Sequence, residues 1–171
     1  MVDFLASQGA RLKWIPSYPD YYSGKPGALD TSRTLTSELF DLSKLGAWKS
    51  KLPPSFLPLP VTIDEALHLP WMKRSKAGQK VLAKIAFRTL VGKLTGKQLL
   101  GGGAGLQAQM VNAALKAGVE IRLNAGVKEI LVEGGRVVGV LAEVDGRAQR
   151  IAATSGIKHA ANAGNLVGAT A

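Results

Sequence analysis

The spacing of apolar and polar side chains divides the chain into a punctuated first part and a regular second part. Val2-Asp-Phe-Leu-Ala-Ser-Gln-Gly9 reads as the end of an amphipathic helix stopped by its glycine. Ala10 to Ile15 is short and extended. Between Pro16 and Arg33 the turn formers Pro, Gly, Asp and Ser recur without a helical or strand period, which predicts an ordered loop. Thr36 to Trp48 has room for a short helix capped by Asp41 or Ser43. Four prolines between Lys51 and Pro60 impose an extended connector. Thr62 with Glu65 makes a capping-box signal for a helix from Ile63, which Pro70 interrupts. Lys73 to Leu94 then reads as a long helix with Val81, Leu82, Ile85 and Leu90 on its apolar side.

The second part is more regular. Gly101-Gly-Gly-Ala-Gly105 is a glycine-rich loop, and Leu106 to Ala117 a helix ended by Gly118. Val119-Glu-Ile-Arg-Leu123 alternates as a strand, and so do Val127–Val132 and Val137–Val144. Glu133–Gly135 and Asp145-Gly146 are turns, the second leading to a last strand at Gln149–Ala153. The fold class is α/β in its α+β form: a glycine-loop–helix–strand unit, then a β-meander, preceded by a helical and loop-rich segment. The expected divisions are residues 1–100, 101–157 and a tail at 158–171.

Composition narrows the class. A 171-residue chain that is 46% apolar and 20% charged can bury a core, and no apolar run reaches the ~20 residues of a membrane span. No cysteine is present, which removes disulfides, thiolate metal sites and a cysteine nucleophile. His68 and His159 are too far apart for a local metal motif, and neither has a visible partner. No signal peptide is visible, so the default compartment is the cytoplasm. The net charge of +10 is local: Trp71 to Ala104 holds eight basic residues and no acidic one, while the segments on either side nearly balance. Lys76, Lys80, Lys84 and Arg88 recur every four residues along one helix face, a pattern suited to an anionic membrane surface or simply to a solvated face. Specific nucleic-acid binding is not expected, because no aromatic-bearing module accompanies the charge.

Taken in order, Gly101-Gly-Gly-Ala-Gly-Leu106, Ala117-Gly-Val-Glu-Ile-Arg-Leu123, Val127-Lys-Glu-Ile-Leu-Val132 and Gly134-Gly-Arg-Val-Val-Gly-Val140 resemble one family. They are similar to the interior of FAD-dependent oxidoreductases of the fumarate reductase/3-ketosteroid dehydrogenase superfamily. Upstream, Val2-Asp-Phe-Leu, Tyr18-Pro-Asp-Tyr-Tyr22 and Pro26-Gly27 resemble the ketosteroid dehydrogenase branch. The resemblance runs from Met1 to about Ile157 and implies an internal stretch of such an enzyme. The strand–GxGxxG–helix unit that cradles the FAD pyrophosphate in the family has no counterpart here. After Ile151, Gly156-Ile-Lys-His-Ala-Ala-Asn-Ala-Gly164 replaces the family's apolar strand and small-residue turn.

What the resemblance implies for chemistry concentrates on the tyrosines, all of which lie in Ser17-Tyr-Pro-Asp-Tyr-Tyr-Ser23. Desaturation beside a ketone needs a base for one proton while the other hydrogen leaves as hydride to flavin N5. Tyr21 matches the active-site position after Pro-Asp, in a supporting role as a phenol hydrogen-bonded to the base, and Tyr18 and Tyr22 would line a pocket for a steroid-like substrate. The plain alternative is three rings ordering a loop. Val127 would offer its backbone to the adenine edge of FAD, or be a core valine. Ala161 would approach FAD as a small residue. Gly101–Gly105 reads as an anion loop or, more simply, as close packing. Asp20 reads as a local cap and Arg33 as exposed. Two other functions stay open: a dicarboxylate reductase of the fumarate reductase type, and a non-enzymatic basic module for anionic membrane or nucleic acid.

Overall fold

The computed structural model describes residues 2–153 apart from Ser17 and Ser32. They form two compact units, one ending at Val119 and one beginning at Glu120. The glycine run and its helix therefore belong with the residues before them, and the meander stands as a unit of its own.

The first unit begins with helix α1 (Val2–Ser7), strands β1 (Leu12–Ile15) and β2 (Thr34–Ser37), and the short strand β3 (Phe40–Asp41). A 3-10 segment (Leu42–Lys51), α2 (Ile63–Ala66), a 3-10 turn (Leu69–Trp71), α3 (Lys76–Thr95), β4 (Leu99–Leu100) and α4 (Gly102–Lys116) follow. β1 and β2 pair antiparallel, Leu12 opposite Ser37 and Ile15 opposite Thr34, so residues 16–33 form the loop of a hairpin. β3 pairs with β4. One apolar cluster joins Leu42, Leu45, Leu100 and Ala108, with Phe40, Trp48 and Val111 packed around it; a second joins Val61, Val81 and Ile85.

The expected helix at Thr36–Trp48 is replaced by strand and 3-10 turn. Thr34–Ser37 finds a partner in β1, and Asp41 then caps the 3-10 segment by accepting the Ser43 N–H at 3.1 Å. α3 starts at Lys76 because the Ser75 side chain accepts the Gly78 N–H at 3.0 Å. Its buried side holds Gly78, Val81, Ile85 and Gly92, whereas Leu82 and Leu90 are exposed together with Phe87 and Leu94.

Gln109, buried on α4, holds the hairpin stem. Its Oε1 accepts the Arg11 N–H, and its Nε2 donates to Ser37 Oγ at 2.9 Å, Glu38 O at 3.2 Å and Arg11 O at 3.3 Å. Leucine at this position fits the volume but leaves the Arg11 N–H without its partner, while Arg11 O keeps the Glu38 N–H and Glu38 O keeps the Ser37 hydroxyl. Gln109→Leu is expected to lower stability by about 1–2 kcal/mol, read from the midpoint of urea unfolding at unchanged slope.

The second unit is a three-stranded antiparallel meander, β5 (Ala125–Glu133), β6 (Arg136–Val144) and β7 (Arg147–Ala152), in the order β5-β6-β7. Both turns carry positive φ at their two central residues, Gly134-Gly135 and Asp145-Gly146, as tight hairpins of this twist require. The alternating stretch Val119–Leu123 is not a strand. Alternation is a local signal, but a strand also needs a hydrogen-bonding neighbour, and none of the described strands pairs with these residues.

Candidate functional site

The tyrosines sit in the hairpin loop above β1 and β2. Ile15, buried at the top of β1, faces Thr34 across the stem. Above it the loop is pinched again where Pro19 bridges Thr31 and the Asp20 N–H donates to Asp30 O at 3.0 Å. Asp20 Oδ1 accepts the Tyr22 N–H at 3.1 Å, folding the chain sharply at Tyr21. That fold returns the Tyr21 ring to Tyr18: the hydroxyl oxygens are 3.2 Å apart, with ring centroids at 6.3 Å and planes tilted by 55°. The hydrogen bond to Tyr21 raises the Tyr18 pKa above the ordinary 10.0, and the charge on an ionised Tyr21 and slight burial act in the same direction. Tyr22 lies on the same turn and, like Tyr21, is largely exposed.

Arg33 is exposed, as expected, and is also paired. Its NH1 lies 3.3 Å from Asp20 Oδ2 and donates to Gly27 O at 3.5 Å. Asp20 is accordingly the local cap that its place after proline suggested, with an added ion pair that spacing alone did not show.

Val127 belongs to the second unit and is described within it. It lies on β5 opposite Ala142, next to a register shift between Val127 and Glu129. β5 is an edge strand, so some of its backbone N–H and C=O groups face away from β6. Ala161, with Lys158 and His159, lies outside the described residues.

The glycine run is closely packed at its two ends. A methyl group at Gly105 would lie 2.8 Å from Leu100 O and 2.7 Å from Ser37 Oγ, and one at Gly101 would strike Val61 O. At these two positions neighbouring protein atoms already fill the space, so Gly101 and Gly105 serve close packing of α4, whereas Gly102 and Gly103 are open. Residues 102–104 do border an apolar groove of about 470 Å³ with Pro54, Phe56, Leu57 and Ile63, but no tyrosine lines it.

The basic face of α3 is in part a structural clamp. Arg88 grips Glu65 with both nitrogens, at 2.6 and 3.0 Å, and also donates to Pro60 O at 3.0 Å; Lys84 reaches the same carboxylate at 3.3 Å. Two of the four cations in the expected membrane-facing row, Lys84 and Arg88, are thus turned onto Glu65, leaving Lys76 and Lys80 exposed. No helix among the described residues is long and apolar enough to cross a membrane.

Comparison with known proteins places these features. Residues 1–171 match the family described as FAD binding domain. The chain is 34% identical over 134 residues to the 3-oxosteroid 1-dehydrogenase of Mycolicibacterium smegmatis, and 32% identical to that of Mycobacterium tuberculosis. Each alignment covers 76% of this chain and 24% of the relative. Among solved structures, the 3-ketosteroid delta1-dehydrogenase from Sterolibacterium denitrificans, in complex with 1,4-androstadiene-3,17-dione, superposes with a TM-score of 0.72 at 26% identity. That match covers 88% of this chain and 29% of the other. The chain spans about a quarter of the length of the curated relatives it matches.

Proposed function

The chain belongs to the FAD binding domain family, and on that premise we propose that it works within a flavin-dependent dehydrogenase that desaturates a steroid-like ketone. The observation that carries the reading is the pair of phenols, Tyr18 and Tyr21, with hydroxyls 3.2 Å apart on a turn matching the ketosteroid dehydrogenase branch. Bound FAD supplies the hydride acceptor for such a reaction. The protein must supply a place for the proton taken from the carbon beside the ketone. Tyr21 is that place. Tyr18, whose pKa is raised, keeps its proton and donates it in a hydrogen bond to the Tyr21 oxygen, which stabilises the charge Tyr21 carries as a base. Tyr22, an exposed ring on the same turn, supplies apolar area for the substrate.

A dicarboxylate substrate would call for converging arginine and histidine. The loop at 16–33 contains Arg33 as its one arginine and no histidine, and Arg33 is paired with Asp20. A 3-ketosteroid with an artificial electron acceptor should therefore give acceptor reduction and a product lighter by two hydrogens when added to the flavoprotein that carries this chain. Oxidation of a reduced dye by fumarate, with no reaction on the steroid, would overturn the reading.

The 171-residue chain alone is expected to hold FAD weakly. Backbone contacts at Val127 contribute about 1 kcal/mol each, against a cost of roughly 4–15 kcal/mol for immobilising a ligand. Titration with FAD should show no saturable quenching of flavin fluorescence in the micromolar range. Saturation there would overturn that expectation.

A further inference from the structure

We propose that Asp20 and Arg33 are positioning residues that hold the Tyr18–Tyr21 phenol pair at bonding distance. This rests on the assignment of that pair as the proton-handling groups. Two phenols on a long loop do not meet by default, since each ring rotates about two side-chain torsions. Core packing cannot hold Tyr21 in place, because its side chain is 84% exposed. Stacking does not either, with the planes tilted by 55° and the centroids 6.3 Å apart. The constraint must come through the backbone.

Asp20, immediately before Tyr21, is where that constraint converges. Its carboxylate is only 12% exposed, within a loop whose other side chains mostly face solvent. One oxygen takes the Tyr22 N–H, and the other faces Arg33 at 3.3 Å. Its own N–H donates to Asp30 O. Arg33 directly precedes β2, so the ion pair ties the tyrosine turn to the strand stem, and the same NH1 reaches Gly27 O further along the loop. Asp20 Oδ2 accepts no hydrogen bond and meets Arg33 as an ion pair only.

The test uses the fact that the chain's three tyrosines all lie in this turn, so tyrosinate absorbance reports on nothing else. In the full 171-residue chain the Tyr18 phenol, hydrogen-bonded to Tyr21, should ionise above the ordinary 10.0 and leave a late step in the tyrosinate titration. Asp20→Ala, which removes the turn acceptor and the ion pair, should abolish that late step. Asp20→Asn, which keeps an acceptor for Tyr22, should retain part of the delay, and Arg33→Lys should retain nearly all of it. In the flavoprotein that carries this chain, Asp20→Ala should lower kcat by about 10²-fold with little change in KM, the cost of ~1 Å misplacement of reacting groups. Arg33→Lys should keep most of the activity. A late tyrosine that persists in Asp20→Ala, or an undiminished kcat there, overturns the proposal. If Tyr18→Phe and Tyr21→Phe both leave kcat intact, the assignment of the phenols fails instead, while the titration still decides what Asp20 holds.

Discussion

Tyr21→Phe in the flavoprotein that carries this chain should cut kcat on a 3-ketosteroid by about 10²–10⁴-fold, the range for losing a positioned acid or base. The ring stays, so apolar contact with substrate stays, and KM should change little. Only the oxygen that takes the proton is removed. Tyr18→Phe should cost less, about 10–100-fold, because it removes a hydrogen bond to a charged partner and leaves the acceptor itself. Steady-state rates of acceptor reduction by the two variants check both numbers. Equal losses would mean that the phenols act as one unit, and a larger loss at Tyr18 would exchange their roles.

The largest stability effect is expected at Glu65. Its carboxylate, 11% exposed, accepts from Arg88 twice, from Lys84, and from the Thr62 N–H at 3.3 Å. Glu65→Gln keeps the shape but leaves the Arg88 guanidinium, itself 25% exposed, without a counter-charge. The expected loss is about 2–3 kcal/mol, below that of a fully enclosed pair because Lys84 stands in solvent. The same carboxylate makes stability depend on pH. Burial pushes its pKa up, but Arg88, the Thr62 N–H and Lys84 outweigh that and hold it below the ordinary 4.5. A lowered folded-state pKa means the contribution is complete above about pH 4.5 and is lost as pH falls through the folded value. Asp64, paired with Lys13, and Asp41, bonded to the Ser43 and Gln98 N–H groups, are lowered as well and act in the same direction. Thermal unfolding should therefore shift to lower temperature on acidification below pH 4.5, with a shallower dependence in Glu65→Gln.

Neither the Glu65 clamp nor the Asp20–Arg33 pair was legible in the sequence. Glu65 and Arg88 are 23 residues apart, Asp20 and Arg33 thirteen, and no periodicity links them. What was legible is local. The meander could be read because its apolar positions alternate and its turns carry Gly-Gly and Asp-Gly. The connector at Lys51–Pro60 followed from its prolines, and the stop of α4 from Gly118. The apolar side of α3 was only half readable. Leu82 and Leu90 belong to the apolar pattern, but burial follows the flat spots at Gly78 and Gly92, where a methyl group would lie 2.5 Å from Met72 Cα and 2.7 Å from Lys97 O. Val119–Leu123 shows the same limit: alternation describes the strand, and only a partner makes one. The tyrosine cluster stood out by composition, whereas the meeting of Tyr18 and Tyr21 depends on a loop closed by residues up to Arg33.

Anaerobic mixing of the flavoprotein that carries this chain with a 3-ketosteroid tests the central claim most directly, because flavin absorbance reports hydride removal without a second substrate. Rapid bleaching is expected in the wild type, slowed at least about 10²-fold in Tyr21→Phe. Flavin that stays oxidised in the presence of the steroid, or bleaching equally fast in the variant, would contradict it.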